Sequence, residues 1–166
     1  MATKECERTH GDEQGWLALG ARGRQYRAVN FVSVTRLRLR HWRFLPAFAW
    51  YAGSSMIQAR RSAGHRFSAA TKDAGLVFWT ITVWEQEAAM RYFRNHGAHQ
   101  KAMTKLAEWC DEATYVHWVQ PGETAPTLVA GAERLIREGV VTRLKYPSPN
   151  HANRTFPMPA EKTYGF

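Results

Sequence analysis

The chain has 166 residues, 45% of them hydrophobic, and carries a formal net charge of +9. That is one domain's length with apolar content enough for its own core, and no run of about 18 apolar residues offers a membrane-spanning helix. The charge would suit a phosphate backbone or an anionic surface, while Cys6 and Cys110 stand far apart without a CxxC, which argues against a zinc site or a disulfide framework.

Residues 1–28 are polar, glycine-rich and aperiodic, and read as a loose extension without the apolar stretch of a secretory leader. A cytoplasmic location is the default expectation. Regular patterning fills residues 29–145. VNFVSVTRL (29–37) is rich in β-branched residues and predicts a strand. HWRFLPAFAWYAGSSMIQARR (41–61) predicts a helix that settles after Pro46. HRFSAATK (65–72) is a weaker strand, KDAG (72–75) a turn, and LVFWTITVW (76–84) the clearest strand. EQEAAMRYFRN (85–95) is a helix whose early Glu85 and Glu87 and late Arg91 and Arg94 complement the macrodipole. Gly97 interrupts it, and AHQKAMTKLAEWC (98–110) resumes as helix. ATYVHWVQ (113–120) predicts a strand and PTLVAGAERLIREG (126–139) a last helix. The tail, 146–166, holds four prolines and no period, and reads as an irregular arm.

The order β-α-β-β-α-β predicts an α+β fold of ferredoxin-like topology, a four-stranded antiparallel sheet with helices on one face. The third strand alternates Val77, Trp79, Ile81 and Val83 against Phe78, Thr80, Thr82 and Trp84. The first set suits a helix-covered face. The second keeps two large aromatics where a wet face would be polar, so the same face of a second copy is expected to cover it, making a dimeric α+β barrel. RNA-recognition modules use the same topology and stack bases on strands one and three. GLVFWTITVWE lacks their basic-Gly-aromatic pattern, and Arg36, Arg38 and Arg40 read as a solvated strand edge. Nucleic acid is therefore not the expected partner, and RNA binding is the weakest alternative.

In RNHGAHQKAM (94–103), His96 and His99 bracket Gly97. His99 falls in the first turn of a helix, where the dipole disfavours imidazolium and keeps the neutral ring that a metal ligand or general base needs. Equally, His96 can cap a helix and His99 can hydrogen-bond a carbonyl; both readings stay open. His65 and His117 read as core histidines. Trp79, Trp84, Phe93 and Trp109 suit either an ordinary aromatic core or an apolar pocket for a large planar ligand. Arg94 suits either a ligand carboxylate or a solvated helix face.

FWTITVWEQEAAMRYFRNHGAHQKAM resembles the TxxxW-x-(D/E)-x-x-(A)-(M/L) segment of dimeric α+β barrel proteins, those of antibiotic biosynthesis monooxygenase-like and spheroidene monooxygenase-like type. FVSVTRLRLRHWRFLPAF and KLAEWCDEATYVHW resemble the DUF3291 type, and the likeness spans about residues 29–120. The resemblance implies a homodimer, a small apolar ligand between sheet and helices, and oxygen-dependent oxidation that is cofactor-free in some members and haem-dependent in others. Haem-binding members ligate iron through a histidine on or near the second helix. GAHQKAM puts His99 at that position, so the resemblance implies a catalytic and metal-ligating role for His99. The alternative is a non-catalytic ligand-binding or scaffold dimer of the same fold.

Overall fold

The computed structural model describes residues 29–160; the extension 1–28 and the last residues, 161–166, lie outside the described residues. The β-branched run at the start forms β1 (Val29–Leu39), two residues longer than its pattern predicts. After a single 3-10 turn over Trp42–Phe44 comes α1 (Leu45–Arg61), with Pro46 in its first turn where a missing N–H costs nothing. Then follow β2 (His65–Lys72), β3 (Val77–Trp84), α2 (Glu87–Asn95), α3 (Gly97–Trp109), β4 (Cys110–Pro121), α4 (Leu128–Glu138), β5 (Val140–Val141) and α5 (Pro149–Asn153). The sheet runs β2-β3-β1-β4-β5 with every neighbouring pair antiparallel. It is the expected ferredoxin-like α+β arrangement, widened from four strands to five by the two-residue β5.

Because side chains alternate along a strand, the register assigns each residue to a face. One face carries Val32, Val34, Val77, Trp79, Ile81, Val83 and Val116, packed against Leu128, Ala132 and Leu135 of α4. The close approach is made at Gly131, where an added Cβ would lie 3.0 Å from Val34 Cγ2. The other face carries Phe31, Leu37, Phe78 and Trp84 and lies under α1, α2 and α3, through contacts with Ala59, Met90, Phe93, Phe48 and Leu106. The helices therefore occupy both faces. The set Phe78, Thr80, Thr82 and Trp84, expected to await a second copy, is the one beneath α1–α3, and the chain's own α4 covers the opposite face.

The arginines of β1 are also placed differently from expectation. β1 is the central strand, paired to β3 and β4, so Arg36 cannot be a solvated edge. Arg36 is 2% exposed and pairs with the fully buried Glu112 of β4. Arg38 bonds both oxygens of Asp111, at 2.8 and 2.9 Å, and lies 3.0 Å from Glu112. Within the C-terminal arm, Ser148 accepts from the His151 N–H to start α5 and donates to Glu112 at 3.1 Å. The Ser-Pro pair at 148–149 is the start signal that the aperiodic tail concealed. Beyond it Phe156 is buried over the Arg36 guanidinium, 5.2 Å away.

Candidate functional site

On the face beneath α1–α3, the register sets three strands into rows. Phe31 opposes Trp84 and Val119; Ser33 opposes Thr82 and His117; Thr35 opposes Thr80 and Tyr115; Leu37 opposes Phe78 and Ala113. β2 extends the middle rows with Ser68 beside Thr82 and Ala70 beside Thr80. The outer rows are thus mostly apolar and the two central rows hold hydroxyls and an imidazole. Ser33, Thr35, Thr80, Thr82, Tyr115 and His117 are all partly exposed although they lie on three adjacent strands under a layer of helices. The two central rows are therefore less closely covered than the outer ones, and form the candidate cleft of this face.

α1 contributes the roof. Phe48 packs at a tilt against Phe78 in one outer row, 4.6 Å between ring centroids, and Ala59 packs with Phe31 and Trp84 in the other. Ser55 shares that helix face at the intervening i, i+4 and i+7 spacing, which sets it above the central rows. Its buried hydroxyl has no hydrogen-bond partner among the described residues, and neither has that of Ser68. Buried polar atoms are normally satisfied, so these two hydroxyls, like His65 Nε2 and Arg36 Nε, have unused capacity for a polar partner.

His117 is the titratable group of the floor. Burial holds its pKa below the ordinary histidine value, the nearby Arg94 and Arg91 push the same way, and Glu87 opposes them. The ring lies 5.6 Å from Phe31 and 5.0 Å from Tyr115. A neutral imidazole there offers one donor and one acceptor to the cleft.

His99 sits at the α2–α3 junction, which Gly97 makes with φ +62°. Gln58 of α1 clamps the junction, accepting from the His99 N–H at 3.0 Å and donating to the carbonyls of Phe93 and His96 at 3.1 and 2.9 Å. His99 Nδ1 lies 3.3 Å from the Arg94 carbonyl. A carbonyl only accepts, so Nδ1 carries the proton and Nε2 is the basic nitrogen. Burial lowers the His99 pKa, the hydrogen bond to Arg94 partly restores it, and the Arg94 charge lowers it again. The carbonyl bond that the bland reading of this histidine requires is present. It is also the bond that orients a metal-ligating imidazole.

Of the other residues singled out in the sequence, the structure gathers some and separates others. Trp84, Phe93 and His99 form one aromatic stack, with centroid distances of 5.0 and 4.4 Å, and Arg94 lies within electrostatic reach of both His99 and His117. Trp109 stands at the other end of the helical layer, against Phe44 and Tyr51. Trp79 is on the opposite face, fully buried, donating to Asp73 at 3.1 Å. Sequence reasoning missed Ser33, Thr35, Thr80, Tyr115 and the cleft placement of His117. Their signal is polar residues at matched mid-strand positions, legible only once the register is known. With both sheet faces covered, the stacking platform of an RNA-recognition module is not present among the described residues, where Phe31 is buried. No described helix is long and apolar enough to cross a membrane.

A family model described as Domain of unknown function (DUF3291) matches residues 46–146. No curated protein matches. Among solved structures, the chain is similar to a protein of unknown function from Nitrosomonas europaea at 16% identity and TM-score 0.51, over 60% of this chain and 97% of that one. It is similar to a protein from Pseudomonas aeruginosa at 11% identity and TM-score 0.51, over 58% and 99%. It also matches SnoaB, a cofactor-independent oxygenase from Streptomyces nogalater, at 14% identity and TM-score 0.45, over 57% and 94%. The first two likenesses are likenesses of fold.

Proposed function

The chain belongs to the DUF3291 family, and from that membership and the cleft we propose that it is a monooxygenase-like protein, acting as a homodimer, that binds an apolar planar ligand with oxygen substituents between the sheet and α1–α3. The observation that carries this reading is the pair of half-open hydroxyl and imidazole rows set between largely apolar rows. Aromatic and aliphatic rows would take the ligand's body, and Ser33, Thr35, Thr80, Tyr115 and His117 its oxygens. His117, neutral at pH 7, would accept a proton from a ligand hydroxyl as the substrate prepares to meet oxygen. Arg94 would stabilise the anion so formed.

The test is titration with 1,8-dihydroxyanthraquinone, read by quenching of tryptophan fluorescence, since Trp84 borders the cleft. Saturable quenching, weakened at least tenfold by Thr80→Val and by His117→Gln, is expected. Binding indifferent to both substitutions would refute the placement.

The His99 tautomer favours one variant of this reading. His99 Nε2 is suited to hold haem iron, and Arg94 to face a propionate; haem would supply oxygen activation at iron. A haemin titration run beside His99→Ala decides it: a Soret shift saturating at one haem per chain and lost in the variant supports haem. A shift unaffected by the variant removes His99 as ligand.

A further inference from the structure

α1 is apolar on two sides, and only one of them meets the sheet. From Phe44 to Ala59 there is no charged residue, in a chain that is 22% charged. The sheet-facing side buries Ser55 and Ala59. The outward side presents Pro46, Trp50, Gly53 and Ile57, at the spacing of one helix stripe. Trp50 is 75% exposed and Ile57 54% exposed. A Cβ at Gly53 would meet nothing within 4 Å. Trp42, 70% exposed, extends the patch just ahead of the helix. A helix that is apolar all round is normally covered all round.

We propose that this stripe is the surface through which two copies of the chain associate, α1 against α1′ across a two-fold axis. A two-fold interface must be self-complementary, each residue meeting a different one that meets it in return. Trp50 and Gly53 supply such a pair: a large knob and a side-chain-free hole one turn apart on the same stripe. With the axis between them, Trp50 of each copy seats on Gly53 of the other. The ridge 46–50–54 then lies in the groove beside its counterpart, as in the commonest helix crossing of about −50°.

Area favours a second copy over other occupants. The stripe with Trp42 offers roughly 600 Å² per protomer, which places the dimer at the low end of specific interfaces. Arg43, Arg60 and Arg61 sit at the ends of the helix, and Lys101 and Lys105 of α3 border it beside Tyr51; a steep crossing carries both sets of charges away from the axis. The face on which two sheets would meet is meanwhile covered by α4, so it competes weakly for a partner.

This inference rests on the homodimer in the function proposed above and names its surface. Sedimentation equilibrium of the full chain over a hundredfold concentration range tests it. The expected result is a reversible dimer whose dissociation constant rises at least tenfold in Trp50→Glu and is unchanged in Val140→Glu, an exposed apolar control on β5. Circular dichroism confirms that each variant is folded; Trp50 is too exposed to be needed for the core. In a Cys6→Ser background, Gly53→Cys should oxidise to a covalent dimer, since the axis passes beside it. A monomer at every concentration would overturn both the inference and the homodimer. A dimer untouched by Trp50→Glu would overturn the inference and leave the homodimer standing. Monomers whose tryptophan fluorescence shifts blue on phosphatidylglycerol vesicles, with the shift lost in Trp50→Glu, would overturn it in favour of a membrane surface.

Discussion

Ser55→Ala tests the cleft at its least ambiguous atom. The Ser55 hydroxyl is buried, 8% exposed as a residue, and unpartnered among the described residues. A buried hydroxyl without a partner costs about 1–3 kcal/mol relative to an apolar replacement. Alanine adds about 0.5 kcal/mol of helix propensity over serine in the middle of α1, and the loss of one oxygen's packing contacts takes back a few tenths. The variant should therefore be more stable by about 1–3 kcal/mol, or roughly 3–9 °C in Tm for a domain of this size. Urea denaturation followed by tryptophan fluorescence measures it, with an unchanged m-value showing that only stability moved. Anthraquinone affinity should fall in the same variant. A loss of 1 kcal/mol or more would mean that the hydroxyl is bonded in the ligand-free protein, and the inference from orphaned hydroxyls to an open binding cleft would fail.

Four further outcomes follow from the same geometry. Glu112→Ala leaves Arg36 buried without its carboxylate and should cost about 3–5 kcal/mol by urea denaturation, whereas Arg36→Met with Glu112→Leu should recover most of that loss. His65, His99 and His117 all have pKa values lowered chiefly by burial. Above the unfolded value near 6.5 both states are neutral and this contribution is flat; below it only the unfolded chain takes up protons, so stability falls with pH until the folded values are passed. Urea midpoints at pH 7.5, 6 and 5 should show that fall, shallower in His117→Gln. The Cys110 thiol, pushed up to about 12 by burial with a lesser push from Asp111, should resist iodoacetamide at pH 8 in a Cys6→Ser background and react once urea unfolds the chain. Gly97→Ala must hold φ near +62° and would bring a Cβ within 2.8 Å of Gln58 Oε1; a loss of about 1–2 kcal/mol is expected, with binding weakened as the α2–α3 junction shifts.

Element identity was legible because local patterns and tertiary demands agree here. β3 shows it best: VFWTITVW has strong strand propensity and strict alternation, and it became a strand buried on one face and half-buried on the other. Which alternate set meets which helix was not legible. Val77, Trp79, Ile81 and Val83 are apolar enough for any cover, and their partner, α4, comes some 45 residues later. The arginines of β1 misled for a related reason. A charge run ordinarily marks solvent, but Asp111 and Glu112 sit at the start of β4, and only the β1–β4 register, which sets Glu112 opposite Arg38, brings them beside Arg36 and Arg38. Burial of such charges depends on long-range pairing, which no local window contains.

The cleft was hidden by the same limit, and its concealment bears on what it is for. Ser33, Thr35, Thr80, Thr82, Tyr115 and His117 are each unremarkable in a strand, and apolar residues at these positions would close helices onto sheet and bury more surface. Their neighbours do close it: Phe31, Leu37, Phe78, Trp84 and Ala113 on the same face meet α1–α3 directly. A face that packs its outer rows tightly and leaves its centre half-covered over hydroxyls forgoes stability there. Local departures of that kind concentrate at functional sites. The buried hydroxyls of Ser55 and Ser68 belong to the helix and the strand that bound that centre, so unused hydrogen-bonding capacity borders the place where a polar ligand would sit.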